Sequence, residues 1–138
     1  MLAPAAVLVL WTLVMLIWLG RTRLPALRRM GGLGNLAPGG RGQELEPVIP
    51  AQVAWKSHNY THLHEQPTLF YAVCVILAMT GATWIDVLLA WGYVGVRIAH
   101  SLWQAMVNTI PVRFTLFMVS SALLLALAIR AAENTLLP

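Results

Sequence analysis

The sequence predicts an all-α integral membrane protein, a bundle of four transmembrane helices, and three observations predict it. The first is composition. Of 138 residues, 59% are hydrophobic and only 10% charged, the balance of a membrane chain rather than of a soluble domain. The second is segmentation: apolar stretches lie at about residues 2–20, 52–82, 84–108 and 112–132, each of a length to cross a bilayer as a helix. The third is where the cations fall. Arg21, Arg23, Arg28, Arg29, Arg41 and Lys56 are six of nine basic residues and lie between the first stretch and the apolar part of the second. Arg113 follows the third stretch, and the second connection carries no Lys or Arg. By the positive-inside rule the first and third loops are cytoplasmic and both termini are outside.

The chain is too short for two domains and reads as one membrane domain, 1–138. Its formal net charge of +4 does not point to nucleic acid, because the basic residues form no patch interleaved with aromatics. No nucleic-acid partner is expected.

Leu2 to Gly20 is a nearly unbroken apolar run. No cation precedes it and no small-residue cleavage site closes it, so it reads as an uncleaved first helix rather than a signal peptide. A loop over about 21–51 follows, with the glycine-rich GGLGNLAPGGRG at its centre and Pro47 and Pro50 near its end. The glycines lack the Gly-Lys-Ser/Thr of a phosphate loop, and a flexible cytoplasmic segment over a site is the better reading. The second helix begins polar, from Ala51 to His64, and turns apolar from Pro67 to Ala82, with a kink at Pro67. Thr80 to Thr83 is a short connection that makes helices two and three antiparallel neighbours. In helix three, Gly95 and Ala99 have the small-xxx-small spacing of close helix approach. The fourth helix follows Pro111 and exits at Arg130 and Glu133. Cys74 lies in an apolar run and reads as a small core residue.

Helix three, WIDVLLAWGYVGVRIAHSLWQAMVN from Trp84, is the element that calls for a function. Asp86, Tyr93, Arg97, His100, Gln104 and Asn108 recur at helical spacing and share one stripe. Arginine and histidine in mid-membrane cost on the order of 3 kcal/mol each unless they face a bundle interior or a wet cavity. The stripe therefore has partners. Either something polar binds there, or the residues form a hydrogen-bonded helix contact.

A second polar cluster, His58, Asn59, His62, His64 and Glu65, opens helix two at the cytoplasmic side, where the end of helix three and Arg113 also lie. Arginine with histidine, asparagine and glutamine suits a polar anion, since a guanidinium offers a forked cationic donor. His58, His62 and Glu65 also have a helical spacing open to a metal, but the His-Glu-x-x-His order is absent, and no metal site is expected. Glu65 and Asp86 sit at opposite helix ends, which argues against a paired acid and base. No serine occupies a nucleophile elbow.

These residues resemble the MAPEG family, membrane-associated proteins in eicosanoid and glutathione metabolism, and its bacterial-type members. The resemblance rests on NYTHLHEQPTLFY (Asn59 to Tyr71) and YVGVRIAHS (Tyr93 to Ser101) and covers roughly residues 55–130. The family's second helix carries Arg, then Asn, then Glu three residues on, ahead of Leu-Phe. Glu65, Leu69 and Phe70 fit, while His58 and His62 stand at the Arg and Asn positions. Arg97, His100 and Arg113 keep the spacing of the microsomal glutathione transferase and prostaglandin E synthase branch, with Gln104 where that branch has tyrosine.

The resemblance implies a homotrimer of four-helix subunits, a multi-pass protein of a bacterial inner membrane. It binds glutathione, or another small thiol, between subunits near the cytoplasmic side. Arg113 would be the catalytic cation beside the thiolate. His58, His62, Glu65, Tyr93, Arg97, His100 and Gln104 would bind substrate or glutathione, with Glu65 holding the amino group or a neighbouring arginine. The implied activity is a glutathione transferase or peroxidase acting on lipophilic electrophiles that arrive through the lipid. A catalytically silent structural or regulatory trimer, its stripe holding subunits together, is the alternative.

Overall fold

The computed structural model describes residues 1–32 and 38–137, and among them every regular element is helical. Five α-helices follow in order: α1 (Leu2–Arg29), α2 (Ala51–His62), α3 (Gln66–Thr80), α4 (Trp84–Met106) and α5 (Ile110–Leu136), with a 3₁₀ turn at Gly42–Leu45 before α2. Three of them, α1, α4 and α5, are long and apolar enough to cross a membrane.

α1 runs nine residues beyond the predicted end at residue 20. Arg21, Thr22 and Arg23 hold helical geometry without being apolar, so hydropathy marks where the greasy part stops, not where the helix does. Its 28 residues span about 42 Å at 1.5 Å each, more than the hydrocarbon layer needs. Arg28 and Arg29 sit in the last turn, where cations meet the negative end of the helix dipole. Gly31 and Gly32 then take positive φ of 94° and 81°, and the Gly32 amide returns to the Leu27 carbonyl at 3.0 Å. This is a glycine C-terminal stop.

The predicted loop over 21–51 is therefore helical at its start and built at its end. Leu45 and Ile49 are buried with Leu27 of α1 and Ala54 of α2 in a small satellite core. Arg23 clamps both sides, donating from Nη1 to Ser57 Oγ at 2.7 Å and from Nη2 to the Gly42 carbonyl. The centre of the glycine-rich stretch, residues 33–37, lies outside the described residues.

The single second helix predicted over 52–82 is two helices. α2 closes at His62, Leu63 to Glu65 turn, and α3 restarts at Gln66 with Pro67 in its first turn. The cause is local. Proline has no N–H to give and its ring crowds the carbonyl four residues back, so the chain cannot continue α-helical through Leu63. α3 ends at Gly81, left-handed with φ 103°. Thr83 and Asp86 then cap α4 reciprocally, each side chain taking the other's backbone N–H.

α4 is the centre of the fold and packs chiefly against α5. The short 81–83 connection does not make α3 its closest backbone neighbour, since α3 lies nearer α5 and α1. α3 meets α4 through side chains instead: Phe70 stacks on Tyr93 with ring centroids 4.3 Å apart. Leu8, Met15, Phe70, Cys74, Leu77, Tyr93, Val94 and Leu127 form the main core. At one end of the molecule Asp86 is fully buried and paired with Arg130 of α5. The other end carries the site.

Candidate functional site

α4 ends at Met106, two residues before the predicted end, because Asn108 turns left-handed at φ 57°. Asparagine tolerates that region better than other residues with a Cβ, and its side chain is used: Arg113 Nη1 donates to Asn108 Oδ1 at 2.7 Å. The turn thereby fixes a guanidinium at the mouth of the bundle. α5 starts at Ile110 with Pro111 in its first turn, two residues ahead of the predicted start.

Below Arg113 lies a cavity of about 400 Å³ lined by Gln43, Glu46, Ser57, His58, Thr61, His62, Glu65, Gln104 and Arg113. Five of these were predicted from the sequence: His58, His62, Glu65, Gln104 and Arg113. They come from α2, the α2–α3 break, α4 and α5, and Glu65, three residues after His62, stays on the same side of the chain as His62 through the break.

Each histidine of the cavity is matched with a carboxylate. His58 Nε2 lies 2.7 Å from Glu46 Oε1, and His62 Nδ1 lies 2.7 Å from Glu65 Oε2. On its other side His62 Nε2 is 3.4 Å from Arg97 Nη1. An arginine can only donate, so Nε2 accepts and Nδ1 carries the proton toward Glu65. The arrangement holds a neutral imidazole between a carboxylate and a guanidinium. Burial keeps His62 below the usual histidine range, outweighing the opposite pull of the Glu65 hydrogen bond.

Tyr93, Arg97 and His100 do not line the cavity. They sit behind it as a buried layer that supports His62. Arg97, 1% exposed, donates from Nη2 to the His62 carbonyl at 3.1 Å, and the His100 ring lies 5.0 Å from that of His62. Phe117 of α5 closes the other face of the His62 ring at 5.6 Å. Tyr93 is one step deeper, its hydroxyl 3.5 Å from Gln66 Oε1.

This layer has hydrogen-bonding capacity left over. Asn59 Oδ1, Arg97 Nε, His100 Nε2 and Gln104 Oε1 are buried with no partner among the described residues. Buried polar atoms are rarely left so, since each costs about 1–3 kcal/mol. All four lie on α2 and α4, and of their residues Gln104 alone, among the described residues, also lines the cavity. No three His, Cys, Asp or Glu residues gather as a metal set among the described residues. His58 and His62 turn to different carboxylates rather than to a common point.

A family model, that of the MAPEG family, matches residues 1–132. The chain belongs to the MAPEG family. No curated protein and no solved structure matches it. As a MAPEG protein with three apolar helices of spanning length, it is an integral membrane protein, and the family associates it with glutathione-related membrane chemistry. The outward leucines and isoleucines of the first and last helices, such as Leu10, Ile17 and Leu125, all more than half exposed, are then lipid-facing surface.

Sequence reasoning missed four residues of the cavity in this MAPEG chain. Ser57 and Thr61 were within reach, because they sit one residue before His58 and His62 with the same i, i+4 spacing. Gln43 and Glu46 were not. They arrive from the stretch before α2, where no helical periodicity signals a direction.

Proposed function

We propose that the protein is a homotrimeric glutathione-binding membrane protein that joins glutathione, or another small thiol, to lipophilic electrophiles. In this reading α3, entered through the polar α2, makes a fourth crossing beside α1, α4 and α5. The observation that carries the reading is the cavity itself: one fixed guanidinium, Arg113, stands over a polar chamber with carboxylates and an unpaired amide oxygen. A tripeptide with two carboxylates, an ammonium group and two amides complements such a lining.

Arg113 is the catalytic residue of this proposal. A cation beside sulfur favours the thiolate, which is the nucleophile. The sulfur lone pair attacks an electrophilic carbon, a C–S bond forms, and the leaving group departs with its bonding electrons. Where the electrophile is an epoxide, the ring oxygen takes those electrons and then a proton. His62 and Glu65 hold the peptide, and Arg97, His100 and Tyr93 keep His62 in place from behind. Gln104 accepts a peptide N–H.

The C-terminal ends of α1 and α4 lie at the cavity end, with most of the basic residues. By the positive-inside rule that end is cytoplasmic, with both termini on the outer side of a bacterial inner membrane. The catalytically silent trimer is favoured by one observation, the use of Arg97 to brace a backbone carbonyl rather than to face the cavity.

Calorimetry on the detergent-purified protein tests the choice. Saturable glutathione binding that Arg113→Ala weakens by about tenfold or more, the scale of one charged hydrogen bond, supports the transferase reading. Absence of binding at millimolar glutathione in the wild type sinks it and leaves the silent trimer.

A further inference from the structure

Resting on the glutathione-binding reading, we infer that Glu46 is a specificity residue that selects ligands carrying a free ammonium group. Glu46 belongs to none of the membrane-spanning helices. It is held over the cavity by the segment that precedes α2, and three features make its position a built one. Arg23 ties the segment to α1 and α2 by bonding Gly42 and Ser57 together. Leu45 and Ile49, on either side of Glu46, are 7% and 6% exposed in the satellite core. The Glu46 side chain hydrogen-bonds through Oε1 to His58, its one side-chain hydrogen bond among the described residues, which leaves its second oxygen available.

The charge pattern says what that oxygen meets. Among the described lining residues Arg113 is the one arginine or lysine, and the carboxylates are Glu46 and Glu65. A ligand whose anionic end sits at Arg113 brings its other end toward the carboxylates. Gln104, 6% exposed and lining the same cavity, has an amide oxygen with no partner among the described residues. That oxygen asks for an N–H, not for another acceptor. Acceptors on one side and a guanidinium on the other describe a zwitterionic, peptide-like thiol, with its ammonium placed between Glu46 and Glu65. Glu65 is bound to His62 and is the more exposed of the two, at 60% against 33%. The better shielded Glu46 gives the stronger discrimination, because an ion pair weakens with exposure to water.

Calorimetry with two probes, glutathione and its N-acetyl derivative, tests this on the full-length protein and on Glu46→Gln. The glutamine keeps the size of the side chain and an oxygen for His58 but removes the charge. Wild type is expected to bind glutathione about tenfold more tightly than the N-acetyl form. Glu46→Gln is expected to erase that preference by losing glutathione affinity while binding the N-acetyl form as wild type does, which also shows that the site is intact. Equal loss for both probes makes Glu46 an anchor of the segment and overturns the inference, as does no loss for either. A preference erased by Glu65→Gln but not by Glu46→Gln overturns it too. Wild type that binds neither probe removes the glutathione-binding reading and this inference with it, an outcome distinct from the others.

Discussion

Asn108 illustrates how a single residue can serve backbone and chemistry together. Its left-handed φ of 57° ends α4, and its side chain holds Arg113. The two roles separate by substitution. Asn108→Gly keeps the turn, since glycine takes positive φ freely, and removes only the acceptor. Asn108→Ala removes the acceptor and adds about 1 kcal/mol of backbone strain. Both are expected to weaken glutathione binding similarly in calorimetry, while only the alanine variant lowers the thermal midpoint. A glycine variant with unchanged affinity would show that Arg113 needs no such support.

His62 is one residue through which stability depends on pH. Burial lowers its pKa from 6.5 in the folded protein, among Glu65, Arg97, Arg113 and His100. The unfolded chain then binds the proton more readily than the native one. The contribution of His62 is thus complete above pH 6.5 and is lost progressively as pH falls from 6.5 toward the folded value. Thermal unfolding between pH 7.5 and 5 is expected to show a steeper fall for wild type than for His62→Asn. Parallel curves would assign the titration elsewhere.

At the level of elements, the fold turns on its interruptions. Gly81 closes α3 at φ 103°, and a Cβ there would meet nothing within 4 Å. The cost of Gly81→Ala is therefore conformational rather than steric and amounts to about 1–2 kcal/mol, readable as a lower midpoint of denaturation with glutathione affinity unchanged. A change in affinity would mean that the turn at one end of the bundle is coupled to the cavity at the other. Pro67 shows how far the sequence reads at this scale. A proline in a helical pattern announces an interruption, and the structure has one a turn earlier. The direction α3 takes after the interruption depends on what it packs against.

For the whole molecule, the outer face of α4 is informative. Gly95 and Ala99 are exposed in the single chain, and nothing lies within 4 Å of a Cβ built on Gly95. The small-xxx-small spacing is thus unused inside the protomer and free for the close approach of a second copy in the proposed trimer. Gly95→Leu is expected to shift native mass spectra of the detergent-solubilised protein from trimer toward monomer. An unchanged trimer would assign the interface to another helix face.

By itself, the sequence determined what one-dimensional pattern controls. Hydropathy marked the apolar stretches, because the bilayer requires runs of a set length. Helical spacing put Tyr93, Arg97, His100 and Gln104 on one buried stripe, all 6% exposed or less, because 3.6 residues per turn is a property of the backbone. The tertiary structure alone decided depth and company. It separated Arg97, His100 and Tyr93 from the cavity and assigned them to support His62. It also carried Glu46 across from a segment with no period of its own, through an arginine clamp and a small core in which Leu27 of α1 meets Leu45, Ile49 and Ala54. Residues on one helix are related by geometry that the chain carries with it, whereas residues from a loop and a helix meet only because other contacts hold both.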